Sequence, residues 1–314
     1  MYNQLISKLR IKDLVLLKEI ASTRSLTSTA KRMGISQPAV TRMLADIERI
    51  FATELFLRNK SVGVVPTDAG DIVLSRADIL LNDLKSLSNH LEEFQNGTSG
   101  HLRLGLIPYV SDSFIRNLVL ELIGDAHRVS VSIHSAATDQ LVSLMQASRL
   151  DAVIGRLNAL PHSPELAHEK LFSQQACVVI HPANALLNRR QVDWKQLAGL
   201  TWLLPPQGSP TRAAFVDVFA ARNETPPATI IETTSAKAIR ALVSVRPDMI
   251  GLVPDDIGRD LESWGGVHAR PFPEKFRMPT AGLIYPVKNK NLPTIRTLRT
   301  VLTTLKGKGL LAVL

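Results

Sequence analysis

Residues 33–50, MGISQPAVTRMLADIERI, combine a glycine turn with a helix whose first turn is polar. Gln37, Thr41 and Arg42 fall on the helix face opposite its apolar residues. An amide can bond adenine through two hydrogen bonds, a guanidinium can bond guanine or phosphate, and a hydroxyl can bond either base. Ser36 at the helix N-terminus favours a phosphate. Together these side chains predict hydrogen bonds to the major groove and backbone of duplex DNA.

Three short helices must position these side chains. The segment IKDLVLLKEIA (11–21) repeats apolar residues at helical spacing. The segment SLTSTAKRMG (25–34) predicts a second helix between a serine N-cap and a glycine stop. A third helix over about 37–51 tolerates Pro38, because the first turn needs no internal N–H bond. A helix, a three-residue turn and a helix make up helix-turn-helix spacing, which ordinary helical hairpins share.

The segment ELFLRNKSVGVVPT (54–67) follows the third helix. Its β-branched residues and Gly63 predict a two-stranded wing with Arg58 and Lys60 at its tip, in reach of the DNA backbone. The side chains expected to contact DNA across these elements are Thr27, Arg32, Ser36, Gln37, Pro38, Ala39, Thr41, Arg42, Arg58 and Lys60.

Charge is unevenly distributed along the chain of 314 residues, whose net charge is +9. Residues 1–65 contain 11 Lys/Arg against 5 Asp/Glu, residues 66–95 contain 2 against 6, and residues 96–314 contain 24 against 17. The first segment is therefore the most densely basic, which favours a polyanionic partner, although charge alone is weak evidence. The length predicts two or three domains, and aromatic residues at 5% predict aliphatic cores.

Cysteine content and hydropathy point to the cytoplasm. Cys177 is the single cysteine, so an intramolecular disulfide is excluded and a reducing compartment fits. Apolar runs fall short of the roughly 20 residues of a membrane span. The first residues carry charges inside any apolar stretch, unlike a secretory signal. We expect a cytoplasmic protein with no membrane partner.

Residues 68–96 contain a heptad pattern. Its apolar positions alternate in spacings of four and three residues, which is typical of a coiled-coil seam. They are Val73, Ala77, Leu80, Leu84, Leu87, Leu91 and Phe94. A narrow seam on a polar helix predicts a dimer, and the alternative is an amphipathic helix packed on its own domain. The segment QNGTSG (95–100) predicts a linker.

Strand-like and helix-like segments alternate after residue 100, from HLRLGLI (101–107) to NLPTIRTLRTVLTTL (291–305). This alternation predicts βαβ units and parallel or mixed sheets. About 214 residues exceed one such unit, so we expect two lobes.

Residues 25–70 resemble the winged helix-turn-helix of the LysR-type transcriptional regulators. The residues that match the family pattern at fixed spacing are Ala30, Ser36, Gln37, Pro38, Ala39, Val40, Thr41, Arg42, Ile47, Glu48, Leu55, Phe56, Arg58, Pro66, Thr67, Ala69 and Gly70. Farther along the chain, the likeness lies in architecture and in short pieces such as LRLGLIP, LDAVIGR and IGLVP.

The resemblance implies a multi-domain α/β protein in three parts. A winged helix-turn-helix domain spans 1–67, a dimerising linker helix spans 68–96, and an effector-binding domain spans 101–314. This last domain resembles periplasmic solute-binding proteins, with one lobe at about 101–166 and 275–314 and a second at about 167–274. The family commonly forms tetramers, so we expect a homotetramer in which a small-molecule effector controls DNA binding.

Parallel sheets bind ligands beyond the carboxyl ends of their strands, at helix N-termini. The residues at these turns that we expect to contact an effector are Pro108, Tyr109, Ser111, Thr138, Arg156, Ser209, Thr211, Thr233, Thr234, Val253 and Pro254. Hydroxyls with one arginine suit a small anion or a polyol, and a carboxylate is our first expectation. Two alternatives stay open: each Ser or Thr is only an N-cap, and Arg156 pairs with Asp112 or Asp139.

Other classes of function have less support. A solute-binding module with an accessory helical domain is the alternative function, and the basic first 65 residues argue against it. An enzyme is not expected, because the sequence contains no Gly-x-Ser-x-Gly, His-Glu-x-x-His or dinucleotide fingerprint. We expect no metal site and no cofactor. Cys177 lies in the apolar segment QACVVIH and is interpreted as a buried small hydrophobe.

Overall fold

A computed structural model describes residues 2–59, 62–95, 100–160, 163–184, 193–274 and 278–308. The chain divides into two compact units, Met1–Glu92 and Glu93–Leu314, and each is described by itself. Within those ranges, no helix combines the length and the apolar character that crossing a bilayer requires.

The first unit is helical with a small wing. Its elements in chain order are α1 Tyr2–Lys8, α2 Ile11–Thr23, α3 Leu26–Met33, α4 Gln37–Phe51, β1 Phe56–Asn59, β2 Gly63–Pro66 and α5 Asp68–Gln95. The sequence-based predictions of α2, α3, α4 and the wing are confirmed, whereas α1 was not predicted.

Local capping explains why the helix-turn-helix forms. Ser25 caps α3 by accepting from the Ser28 N–H, and Gly34 ends that helix in the left-handed conformation with φ 67°. Ser36 then caps α4 by accepting from the Ala39 N–H. Gly34 and Ser36 therefore fix the turn between α3 and α4, and Ser25 fixes where α3 begins.

The wing is tied to the helices through buried groups. Glu48 on α4 accepts hydrogen bonds at Oε1 from the backbone N–H groups of Leu55 (2.8 Å) and Phe56 (3.2 Å). The Val64 N–H donates to the Arg24 carbonyl at the end of α2. An added Cβ at Gly63 would collide with that carbonyl, so glycine permits the close approach. These contacts hold the wing against the last turn of α4 and the end of α2.

The second unit contains two sheets with flanking helices. Its elements in chain order are β3 His101–Leu106, α6 Asp112–Ile123, β4 Ser130–Ser135, α7 Thr138–Gln146, β5 Ala152–Arg156, β6 Leu166–Phe172, β7 Ala176–Ile180, α8 Trp194–Ala198, β8 Thr201–Leu204, α9 Pro210–Ala220, β9 Ile230–Glu232, α10 Ala236–Val243, β10 Met249–Pro254, α11 Asp255–Ser263, β11 His268–Pro271, β12 Ala281–Pro286 and α12 Pro293–Gly307.

Lobe one is built on the sheet β4-β3-β5-β12-β6. Strands β4, β3 and β5 are parallel, whereas β12 runs antiparallel to both β5 and β6. The helices α6, α7 and α12 cover an aliphatic core of this sheet. An ion pair joins the half-buried Arg103 on β3 to the buried Asp151 before β5, with an Nη2–Oδ1 distance of 2.6 Å.

Lobe two is built on the sheet β11-β7-β10-β8-β9. Its core is less aliphatic than composition predicts, because aromatic rings concentrate here. Trp202 lies 4.8 Å from Phe215 and 6.5 Å from Phe219 between ring centroids. Trp194 and Phe272 complete the cluster. Cys177 on β7 is buried, as interpreted from the sequence, and burial raises the pKa of its thiol to about 12.

The boundary between the lobes differs from the prediction. We expected residues 167–172 in lobe two, but β6 pairs with β12 in the sheet of lobe one. The strand alternates half-buried and exposed residues before its buried end, so its apolar signal is weak. The chain therefore crosses to lobe two after Phe172 instead of after residue 166.

Replacing Asp151 by alanine tests this ion pair. Asp151 also accepts from the Arg103 backbone N–H at 2.7 Å, so the substitution removes an acceptor from a half-buried cation and from a backbone amide. Breaking a fully buried pair from one side costs about 3–5 kcal/mol of unfolding free energy, and the partial exposure of Arg103 places the expected loss at or below the lower end of that range. Urea unfolding of the full chain measures this loss.

The matched control is Asp248→Ala, which removes the exposed carboxylate paired with Arg246. Exposed ion pairs contribute little to stability, so this variant should unfold like wild type. Equal behaviour of the two variants would contradict a structural role for Asp151.

Candidate DNA-contact surface and interlobe site

The first turn of α4 presents polar side chains to solvent. Gln37 donates from Nε2 to the Thr41 hydroxyl at 2.9 Å, and that hydroxyl donates to the Gln37 carbonyl at 3.2 Å. Arg42 is exposed one residue farther along, whereas Val40 and Ile47 face the core. The hydrogen bond holds the glutamine amide and the hydroxyl side by side, so both can meet one base step.

The other predicted DNA contacts on the helices differ in solvent exposure and in whether they already have a partner. Thr27 and Pro38 are exposed, and Ala39 is half-buried beside the Ser36 cap. Arg32 forms an ion pair with Glu19 on α2, with an Nε–Oε2 distance of 3.1 Å. That pair already orients Arg32 along α2, so a phosphate would have to compete with the carboxylate.

The wing carries one basic side chain in the described residues. Arg58 is exposed on β1 and lies opposite Val64 in the two-stranded ladder. It is therefore in the strand, not at the tip where we expected it. Lys60, the second predicted wing contact, lies outside the described residues.

The heptad seam of α5 divides into two parts. Ala77 is buried and Val73 is half-buried against the core of the first unit, as the packed-helix alternative requires. Leucines 80, 84, 87 and 91 are 53%, 43%, 55% and 54% exposed. The side chain of Phe94 lies outside the described residues. The second part of the seam thus presents a leucine stripe, defined as Leu80, Leu84, Leu87 and Leu91, to solvent.

Arg156, at the end of β5, is buried in the second unit. Its guanidinium donates to the Pro279 carbonyl at 2.6 Å and to the Gln174 Oε1 at 2.7 Å. The alternative that it pairs with Asp112 or Asp139 is wrong, because among the described residues neither carboxylate lies within ion-pair distance. Arg156 instead bonds a neutral amide.

Gln174 connects the two lobes. It lies between β6 and β7, and its Nε2 donates to both carboxylate oxygens of Asp256 at 2.7 and 2.8 Å and to the Tyr109 carbonyl at 3.3 Å. Asp256 belongs to the first turn of α11 in lobe two. Sequence reasoning missed both Gln174 and Asp256, and the acidic first turn of α11 was the one available signal.

Burial shifts the pKa values in this cluster. It lowers the pKa of Arg156 to about 10, which still leaves the guanidinium charged near neutral pH. It raises the pKa of Asp256, and the hydrogen bond from Gln174 opposes that rise. The Tyr109 hydroxyl is buried without a hydrogen-bond partner among the described residues, and burial raises its pKa against the field of Arg156.

The remaining effector candidates serve local structure. Thr138 is not an N-cap, because Ala137 holds that position; its Oγ1 accepts from the Arg156 N–H at 2.9 Å. The N-cap alternative is confirmed for Ser111 on α6 and Ser209 on α9.

The other candidates follow strands or begin helices. In lobe two, the Thr233 hydroxyl accepts from the Ser235 N–H, Thr211 in the first turn of α9 is buried, and Thr234 is half-buried. In lobe one, Pro108 after β3 is half-buried. Val253 and Pro254 pair with β7 inside the sheet and are buried, so their side chains pack in the core instead of facing a cleft. Among the described residues, no group of three His, Cys, Asp or Glu side chains is placed to hold a metal.

One more polar contact joins the lobes. The Asp112 N–H at the start of α6 donates to Asp260 Oδ2 at 2.9 Å, across the two lobes. Asp260 lies one turn after Asp256 on α11, so both carboxylates face lobe one. Burial raises the pKa of Asp260.

Two family models together match most of the chain. Residues 11–71 match the bacterial regulatory helix-turn-helix protein of the lysR family, and residues 95–306 match the LysR substrate binding domain. The chain belongs to the LysR family. The LysR resemblance seen in the sequence is confirmed, and so is the architecture of a winged domain followed by a two-sheet α/β domain.

Curated relatives of this LysR protein are transcriptional regulators. The HTH-type transcriptional regulator GalR of Pseudomonas putida is 28% identical, and the alignment covers 75% of this chain and 58% of GalR. The HTH-type transcriptional regulator GbpR of Azospirillum brasilense is 24% identical, and the alignment covers 96% of this chain and 87% of GbpR.

Solved structures share the fold. Full-length CbnR complexed with its target DNA has a TM-score of 0.72 at 18% identity, covering 94% of this chain and 99% of CbnR. A full-length variant of OxyR from Pseudomonas aeruginosa has a TM-score of 0.62 at 20% identity, with 95% of each chain covered.

The raised pKa of Asp256 predicts a pH-dependent stability difference from Asp256→Asn. A carboxyl whose folded pKa exceeds its unfolded value destabilises the fold once it ionises, and the penalty is absent below the unfolded pKa of about 4. As pH rises from about 3 to about 7, the unfolding free energy of wild type should therefore fall relative to that of the variant. Urea titrations of both proteins across this range measure the difference.

The control is Glu262→Gln on the same helix, whose carboxyl pKa is lowered by the hydrogen bond with His268. For this control, the unfolding free energy of wild type should rise relative to that of the variant as pH rises. If the difference in unfolding free energy between wild type and Asp256→Asn does not change across this range, the raised pKa is contradicted.

Proposed function

We propose that this chain is a cytoplasmic, sequence-specific DNA-binding transcriptional regulator controlled by a small-molecule effector, and that it is not an enzyme. Residues 1–67 bind promoter DNA, residues 68–96 form the dimer and residues 101–314 bind the effector. Gln37, Thr41 and Arg42, on the solvent face at the start of α4, carry the proposal, because helix-turn-helix proteins place these positions in the major groove.

Electrostatics supports binding to DNA. The excess of Lys and Arg in residues 1–65 lies on the same unit as the polar first turn of α4. Arg58 on the wing and the N-terminus of α4 are positioned to contact phosphates that flank the groove. Binding should therefore weaken steeply with salt, because each phosphate contact releases condensed counterions.

The leucine stripe supports self-association. Four leucines in a row on one helix face form an apolar surface that a soluble chain rarely leaves uncovered. A second copy packed on the same stripe would bury it symmetrically and place two α4 helices on two half-sites. We propose that such dimers pair through their α/β domains into a homotetramer.

The interlobe cluster supports an effector that is a small organic anion. Arg156 is a buried cation without a carboxylate at ion-pair distance in the described residues. A buried cation favours an anionic partner because its desolvation is otherwise poorly compensated. Contacts from Ser209, Thr211, Thr233 and Thr234 to the effector stay predictions.

Footprinting on the intergenic DNA upstream of the gene tests DNA binding. Wild type should protect a dyad, and the double substitution Gln37→Ala/Arg42→Ala should remove the protection, because each base contact contributes about 1–3 kcal/mol. The control is Arg49→Ala, which removes a cation from the last turn of the same helix, where Arg49 pairs with Asp46.

A footprint that survives the double substitution would overturn the proposed role of α4. Protection lost equally in the Arg49→Ala protein would show that bulk charge, not base contact, drives binding. A salt titration of the same complexes separates the two, because a base contact changes affinity with little change in the salt slope.

Substituting Leu84→Asp tests the dimer. A carboxylate in the middle of the leucine stripe would be buried in a coiled-coil seam, so the chain should elute with a lower mass in light scattering. The control is Lys85→Asp, which places the same carboxylate on the adjacent polar face. If both variants keep the wild-type mass, the stripe is not the dimer seam.

A further inference from the structure

The side-chain amide of Gln174 is held between the buried guanidinium of Arg156 and the half-buried carboxylate of Asp256. Its oxygen accepts from the Arg156 guanidinium at 2.7 Å, and its nitrogen donates to both Asp256 oxygens at 2.7 and 2.8 Å. Arg156 is 6% exposed and Gln174 is 2% exposed. The amide is therefore a neutral bridge between a cation of lobe one and an anion of lobe two.

A small zwitterion offers the same two groups with full charges. An α-amino acid has a carboxylate that can accept from a guanidinium and an ammonium that can donate to a carboxylate. Both groups are attached to one carbon, so they span little more than the two ends of an amide. The bonds of Gln174 are already charge-assisted on one side, because Arg156 and Asp256 are ionised. A zwitterion would make both partners of each bond ionised and would add the attraction between opposite charges.

We propose that the effector is an amino acid or a similar small amino carboxylate, which displaces the Gln174 amide and binds with its carboxylate on Arg156 and its ammonium on Asp256. This inference rests on the proposed function and names the class of effector for that site. The side chain of the ligand would extend into the cleft between the lobes.

The Tyr109 hydroxyl supports a ligand at this position. It is buried and has no partner among the described residues, and leaving such a group unbonded costs about 1–3 kcal/mol. It lies within the electrostatic influence of Arg156, and the Tyr109 carbonyl already bonds Gln174. In the proposed complex, a carboxylate on Arg156 offers a second oxygen to which the Tyr109 hydroxyl would donate.

Asp256 favours an anionic effector that also carries a cationic group beside its carboxylate. A plain carboxylate on Arg156 would displace the amide and leave Asp256 without its donor, while adding a second negative charge nearby. A half-buried carboxylate that loses its donor is destabilised by its partial desolvation, and a like charge at close range adds to that cost. An ammonium group removes both penalties, so the site should select amino acids over the corresponding deaminated acids.

The position of Gln174 links ligand binding to lobe geometry. The residue lies in the crossover between β6 and β7, and its partners belong to different lobes. When the ligand displaces this amide, the lobes are joined through the ligand instead of through Gln174. The angle between the lobes can then differ between the ligand-free and the ligand-bound protein, and the ligand stabilises the arrangement to which it binds more tightly.

Calorimetry and thermal unfolding of the full chain test the class of ligand. The probes are the standard L-amino acids, each compared with its deaminated carboxylic acid and its decarboxylated amine. At least one amino acid should bind and raise the unfolding temperature, and both of its analogues should bind at least about tenfold more weakly, equivalent to ~1.4 kcal/mol.

Two substitutions locate the site. Asp256→Asn should weaken the amino acid about tenfold or more, because the variant loses the charge facing the ammonium. The same variant should bind the deaminated acid more tightly than wild type does, because it removes the like charge that opposes a plain carboxylate. Gln174→Ala should tighten the amino acid severalfold, because the internal competitor is gone. Glu262→Gln on the same helix pairs with His268 within lobe two and should match wild type.

Three outcomes would overturn the inference: no amino acid binds wild type or the Gln174→Ala protein, a deaminated acid binds as tightly as its amino acid, or Asp256→Asn leaves the preference unchanged. The unfolding temperature of each variant without ligand, compared with that of wild type, reports whether the variant folds. Footprinting separates this inference from the proposed function, because amino-acid binding without any DNA protection would refute the regulator and leave the ligand class standing.

Discussion

The burial of one guanidinium organises the second unit. Arg156 ends β5 at the point where the chain leaves lobe one, and removing its charge from water requires acceptors on every side. Lobe one supplies the Pro279 carbonyl, and the crossover supplies the Gln174 amide oxygen. The amide nitrogen of Gln174 in turn donates to Asp256 in lobe two. Each lobe has its own core, so this polar chain is where the state of one lobe can influence the other.

The elements of the first unit could be predicted from sequence because their signals are local. A serine N-cap or a glycine at a left-handed position acts within four residues, so Ser25, Gly34 and Ser36 defined their helices correctly. The solvent face of α4 follows from the same periodicity, and Gln37, Thr41 and Arg42 lie on it. Helix α1 was missed, because seven residues at a terminus carry too little pattern.

The interlobe cluster could not be predicted, because its members meet only through the fold. Gln174 and Asp256 are 82 residues apart, and neither lies in a motif. The sequence places Arg156 correctly at a strand end, but the acidic partners it offers, Asp112 and Asp139, lie in the first turns of α6 and α7. Asp112 instead contacts lobe two through its backbone N–H, which donates to Asp260. The misplaced boundary at β6 has a similar cause, because an edge strand with one exposed face resembles a polar connection.

Helix α5 packs on the winged core in its first part and presents the leucine stripe in its second part. Its first turns belong to the winged core, where Val73 and Ala77 pack and Lys18 on α2 forms an ion pair with Asp78. The leucine stripe follows on the same helix without a break. A second chain packed on that stripe would hold its own winged core equally rigidly. The separation of the two α4 helices would then depend on how the α5 helices cross, so an effector could change half-site spacing without touching the DNA-binding residues.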